Sequence, residues 1–325
     1  MYGWYNDEKE WRDPAKIKGQ FGSAKAPYLK DFADAAAKEG PRTYASGKFA
    51  PDMGLVDPKG KNIILASDDD IVMLLDGTAS MAKWPKEVHD REPLYVKTIR
   101  GWREQAKICF GIIGDAKWDT WAFQIGNPGN GPELDKVING LYAEGKGGPG
   151  YRESYELGAY FALKHIQVPE GVHPTLIVIG DEMFYDDVDP EHVKKIFGDV
   201  LPAPLPSLQV WKDLGQRFDI YHLRKQYGQG LDDKIEAQWT EALGPQRIIP
   251  VYNNGRFEVI DVALGIQAKK WGCEDNFLQN LEARQEGAAV ASVMASLKYA
   301  PGMSGSIANA VGKPSVKKSK KLVEE

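Results

Sequence analysis

Cysteine is scarce in this 325-residue chain: there are two, Cys109 and Cys273. Two cannot build a disulfide framework or a cysteine-rich zinc site, and they fit a reducing compartment most simply. No run of about 18 apolar residues occurs, so no membrane-spanning segment is expected. The opening MYGWYNDEKEWRDPAK lacks the basic start and apolar core of a secretory signal. The expected location is therefore cytoplasmic, in the protein's own cell or a host's. A strong charge of one sign is also missing: 41 Lys and Arg face 46 Asp and Glu, a net charge of -5. That argues against a chain devoted to nucleic acid. Neither a Gly-x-x-x-x-Gly-Lys-Ser/Thr loop nor a strand-following Gly-x-Gly-x-x-Gly is present, so no nucleotide cradle is expected. The five histidines (His89, His165, His173, His192, His222) lie far apart without ligand spacing and read as surface or packing residues.

What is present is an ordinary apolar content, 42%, in a chain long enough to bury a sizeable core. Residues 1–65 read as an N-terminal extension strapped onto the main domain, with one helical stretch in KAPYLKDFADAAAKEG. Over residues 66–272 the pattern becomes regular. Apolar strands (DIVMLL, DTWAFQIG, PTLIVIGDE, FDIYHLRK, QRIIPVY) alternate with helical segments. PLYVKTIRGWREQAKICFGII reads as one long helix, and ESYELGAYFALKHI as a helix with Tyr155 on its apolar face. Strands without period-two polarity, alternating with helices, predict a doubly wound, mostly parallel α/β sheet with helices on both faces. Residues 273–312 suggest a C-terminal helical extension, and 313–325 a flexible Lys-rich tail.

The chemistry concentrates where strands end. DIVMLL stops at Asp76, followed by Thr78 and Ser80; IVIG stops at Asp181 and Glu182. In an open parallel sheet, ligands collect at the C-terminal ends of the strands. Neighbouring strands would set Asp76 and Asp181 on one rim, where two carboxylates repel unless a cation or proton lies between them. The donors are hard oxygens throughout, which favours Mg²⁺, or Mn²⁺ or Ca²⁺, over zinc. The alternative is that Asp76 and Ser80 only cap the next helix.

Asp76-Gly77-Thr78-Ala79-Ser80 resembles the Asp-x-Ser/Thr-x-Ser motif of von Willebrand factor A (vWA) domains, where it forms the metal-ion-dependent adhesion site. The resemblance extends over about 200 residues, and DGTASMAKWP with GKGGPGYRESYEL looks most like intracellular members. It implies Asp181 as a further metal ligand. The family usually supplies another Thr from an intervening loop. Here no Thr lies between Thr120 and Thr175, so Ser154 or Glu153 is the expected substitute.

The resemblance implies a metal-dependent module for adhesion or assembly, binding a protein partner that presents Asp or Glu. A Mg²⁺-dependent phosphoryl-transfer hydrolase is the rival reading, and a structural or ribonucleoprotein component is a third. Other features have plainer readings. Asp186, Asp187 and Asp189 could form a second cation site, but the run reads as a turn leading into a helix. Lys317, Lys318, Lys320 and Lys321 read as a solvated tail. Trp84 and Trp102 read as packing for the first helix. The glycine-rich stretch before Arg152 reads as a flexible rim loop.

Overall fold

The computed structural model describes residues 49–81, 83–131, 133–228, 230–252, 258–285 and 287–301. The helix expected in KAPYLKDFADAAAKEG and the Lys-rich tail at 313–325 lie outside the described residues.

Continuous apolar runs form the centre of the sheet. β1 (Ile71–Asp76), β2 (Ile108–Ile113) and β4 (Thr175–Gly180) are buried at every position. Strands with no polar face must be covered on both sides. Completing the sheet are β3 (Phe123–Ile125), β5 (Asp219–Lys225) and β6 (Ile248–Val251), in the order β6-β5-β4-β1-β2-β3. Every pairing is parallel except the edge pair β2–β3, which is antiparallel. This is the expected mostly parallel α/β architecture. From β1 the chain runs outward to β2 and β3, then returns to place β4 on the other side of β1. The switch point of the topology therefore lies between β1 and β4.

Alternation along β1 divides the core. Ile71, Met73 and Leu75 face α1 (Trp84–Trp102), α2 (Glu133–Gly140) and α7 (Glu258–Trp271). Val72 and Leu74 face α3 (Tyr155–His165), α5 (Ser207–Leu214) and α6 (Asp232–Leu243). Val193 of α4 (Pro190–Ile196) joins this second core. Trp84 is buried in the first core, and Trp102 packs against it while its indole donates to Asn276. Both serve packing, as expected.

Two stretches differ from the sequence reading. The expected long helix ends at Trp102, and ICFGII is β2. A short apolar run fits either period, and its β-branched residues win once two neighbouring strands are available. The glycine-rich stretch contains α2, which packs Leu134, Val137 and Ile138 into the core. Past residue 272 the expected helices are present and join the core. Phe277 and Leu281 of α8 (Glu274–Arg284), with Val293, Met294 and Leu297 of α9 (Gly287–Leu297), share the core of α7.

A buried pair locks α8 to α7. Arg284 donates to Asp261 at 2.7 Å, and the other Asp261 oxygen accepts from Gln285 at 2.7 Å. Removing one member of a buried pair leaves its partner's charge uncompensated. Asp261→Ala is expected to lower the unfolding free energy by about 3 kcal/mol in a urea titration, within a single transition. A loss below about 0.5 kcal/mol, typical of a surface change, would show that α8 is not part of the cooperative unit.

Candidate functional site

The β1–β4 switch point gathers the acids. Leu75 is in register with Ile179, so Asp76 and Asp181 leave the sheet one and two residues later. Both are fully buried, and Thr78 is 2% exposed. Asp76 Oδ1 accepts from the Thr78 amide at 2.8 Å and from its hydroxyl at 2.6 Å. The Thr78 and Ser80 hydroxyls lie 3.2 Å apart, and Ser80 donates to Asp181 Oδ1 at 2.9 Å. Asp76, Thr78, Ser80 and Asp181 are therefore one hydrogen-bonded set.

Two further residues complete it, and neither was singled out for the site from the sequence. The Tyr155 hydroxyl donates to Asp76 Oδ2 and accepts from the Asp181 amide at 3.2 Å, bridging the two strand ends. A Cβ on Gly180 would fall 2.2 Å from that hydroxyl, which explains the glycine between Ile179 and Asp181. Tyr155 had been read as an apolar helix position, which its ring is. The other is Lys225, the last residue of β5. Its ammonium donates to Asp181 Oδ2 at 2.6 Å and to the Ser80 carbonyl at 2.8 Å. The available signal was a strand ending in Lys beside one ending in acid.

The remaining predicted residues divide. Ser154 is fully buried, but its hydroxyl accepts from the Ala116 amide at 2.9 Å, so it serves the loop after β2. Glu153 does reach the acid cluster. The pair Arg152–Glu153 runs parallel to Met183–Phe184, which carries Glu153 to the loop after β4. Glu153 is 2% exposed, and its Oε2 has no hydrogen-bond partner. Gly147 adopts φ +98°, and a Cβ there would sit 2.6 Å from Glu153 Oε1 and 3.2 Å from Thr78 Cβ. Only glycine lets the loop pass between them. The loop is also stitched down: Gly147 donates to Asp119 at 3.0 Å, and Ala79 donates to the Lys146 carbonyl at 2.7 Å. Asp189 caps α4, accepting from Glu191 at 2.7 Å, and Asp186 pairs with Arg152. That is the turn-into-helix reading of the acidic run.

Electrostatics follow from burial. Burial first, then the Asp181 charge, push the Asp76 carboxyl up to about 7, against the hydrogen bonds from Thr78 and Tyr155. Burial, then Asp76 and Asp181, push Glu182 up to about 8. Burial, then Asp76 and Glu182, push Glu153 up to about 11. Asp181 is raised by burial, while Lys225 and Ser80 oppose the shift. The cluster holds more buried acid than its own cations offset, and such a site takes up protons or a cation.

The donor chemistry fits a hard divalent ion. The oxygens come from two carboxylates and two hydroxyls, with the orphaned Glu153 Oε2 nearby. Among the described residues, no three His, Cys, Asp or Glu side chains converge as a metal-holding group. A cation here would therefore need the hydroxyls and water beside the two aspartates. No helix among the described residues is long and apolar enough to cross a membrane.

No protein-family model matches the chain, and no curated protein does. Among solved structures, the pilus adhesin SpaC from Lactobacillus rhamnosus GG, in its open conformation, is similar over 68% of this chain and 31% of that one. The identity is 14% and the TM-score 0.47. Proximal thread matrix protein 1 from the mussel byssus is similar over 66% of this chain and 49% of its own, at 10% identity and TM-score 0.44. The chain spans about a third of the adhesin and about half of the matrix protein. Likeness at this level carries no argument about function, which rests on the site itself.

The crowded acids predict a pH signature. Asp76 and Glu182 start from 3.8 and 4.5 and rise on folding, so the folded state retains protons that the unfolded chain releases. Stability from these groups is fully present below about 4 and is lost as pH rises through about 7 and 8. In chelator, the denaturant-derived unfolding free energy should fall between pH 5 and 8, with a shallower fall in Asp76→Asn. A wild-type profile flat over this range would contradict the crowding.

Proposed function

We propose that the chain is a vWA-like, metal-dependent protein-binding module whose partner supplies an Asp or Glu side chain. The observation that carries this reading is the hydrogen-bonded series Asp76–Thr78–Ser80–Asp181 at the topological switch point. These four residues would hold Mg²⁺, or Mn²⁺ or Ca²⁺, with Glu153 as the acid at the place where the family's usual loop Thr is missing. When bound, such an ion supplies a divalent charge that a partner carboxylate can join. Charge-assisted contacts of that kind can set specificity. The protein's part is to hold the oxygens. Tyr155 fixes Asp76, Ser80 orients Asp181, and the stitched glycine loop keeps Glu153 beside Thr78.

The hydrolase reading requires an accessible carboxylate nucleophile. Asp76 is fully buried and both its oxygens accept hydrogen bonds, which favours a ligand over a nucleophile.

Two measurements test the proposal. Calorimetric titration with Mg²⁺ and Mn²⁺ should show one principal site in the wild type and a loss of at least tenfold in affinity for Asp76→Ala. Equal titration of the two proteins would place the site elsewhere. Pull-down from source lysate should then recover a partner that is lost in chelator and with Thr78→Ala. Partners retained under every condition would refute the metal bridge.

A further inference from the structure

We infer that Lys225 sets the cation affinity of this site, by occupying Asp181 with its own ammonium when no divalent ion is bound. The inference rests on the metal-binding reading above and names a residue which that reading did not contain.

The placement is a consequence of the fold. β5 lies beside β4, with Arg224 in register with Gly180. Lys225 therefore comes level with Asp181, at the rim where Asp76 also ends. Its ammonium bonds oxygens from both halves of the ligand set, Asp181 Oδ2 on β4 and the Ser80 carbonyl on the hydroxyl turn. The Lys225 side chain is 15% exposed while that of Asp181 is fully covered. The lysine thus lies on the outer side of the acid.

Other nearby cations are engaged elsewhere. Arg224 pairs with Asp232 and Glu236, Arg152 with Asp186, and Lys146 with Glu144. An ammonium and a hard divalent ion seek the same carboxylate oxygen. A tethered competitor removes the competent form of the site from part of the population and weakens the apparent affinity by that fraction. The bland alternative is a purely structural ion pair that offsets a buried aspartate, with no bearing on cation binding.

The test uses the full chain with Lys225→Met, which keeps the aliphatic stem, and Lys225→Arg, which keeps the charge. Mg²⁺ affinity is read by calorimetry, and melting temperature is read in chelator and in excess Mg²⁺. Lys225→Met should bind Mg²⁺ at least tenfold more tightly than the wild type. It should melt lower in chelator, where Asp181 loses its counter-ion, and gain more from added Mg²⁺. Lys225→Arg should bind no more tightly than the wild type. Binding by Lys225→Met alone, with a silent wild type, would support the inference in its strongest form. Equal or weaker binding by Lys225→Met, beside a wild type that does bind, would overturn the inference and leave the metal reading intact. Tighter binding by Lys225→Arg would also overturn it. No binding by any of the three would remove both.

Discussion

Carboxylates brought to a dry rim must each find a proton, a donor or a cation, and the C-terminal edge of this sheet is arranged around that demand. The topology itself creates the problem, because the strand order switches sides between the parallel neighbours β1 and β4 and leaves Asp76 and Asp181 side by side. Hydroxyls answer part of it. Thr78, Ser80 and Tyr155 bring protons to carboxylate oxygens without adding charge. Their geometry then constrains the backbone around them. Gly180 must lack a side chain to admit the tyrosine, and Gly147 must take a left-handed turn to pass between Thr78 and Glu153. Lys225 supplies the only charge–charge pairing with these acids among the described ion pairs.

Much of the architecture was legible because β1 and β4 carry continuous apolar runs, are buried at every position and run into acid. Continuous apolar strands alternating with helices admit few folds, and the Asp-x-Thr-x-Ser turn marks which strand end matters. Legibility failed where one residue serves two environments. Tyr155 carries an apolar ring and a polar tip, so helical periodicity counted it as core and missed its hydroxyl. ICFGII suits either a helix or a strand, and only its pairing with β1 and β3 decides. Lys225 was missed for a different reason. Its role depends on β5 lying next to β4, a fact of topology separated by 44 positions from Asp181. The Ser154 expectation shows the converse: its spacing was suitable, but the loop after β2 claimed its hydroxyl.

The pattern of burial also decides how a partner could reach the site. Asp76, Thr78 and Asp181 are sealed, whereas Ser80 is half-buried and the Lys225 side chain keeps 15% exposure. The open side therefore lies at the end of β5. Nearby, the glycine loop is held by the Tyr227 hydroxyl, which donates to the Gly150 carbonyl at 3.0 Å. That loop also displays Tyr151, 38% exposed, and packs Gly148 against Trp118, which is 57% exposed. Tyr151 and Trp118 therefore set exposed aromatic surface along the glycine loop that borders the acids. The residue that guards the opening is the same one that offsets Asp181. Any carboxylate entering from that side meets a positive charge first, whether it is the lysine's alone or shared with a bound ion. Under the metal-binding proposal, this placement would favour an acidic partner at the approach as well as at the floor of the site, and would oppose a basic one at the entrance even though the acids beneath would attract it.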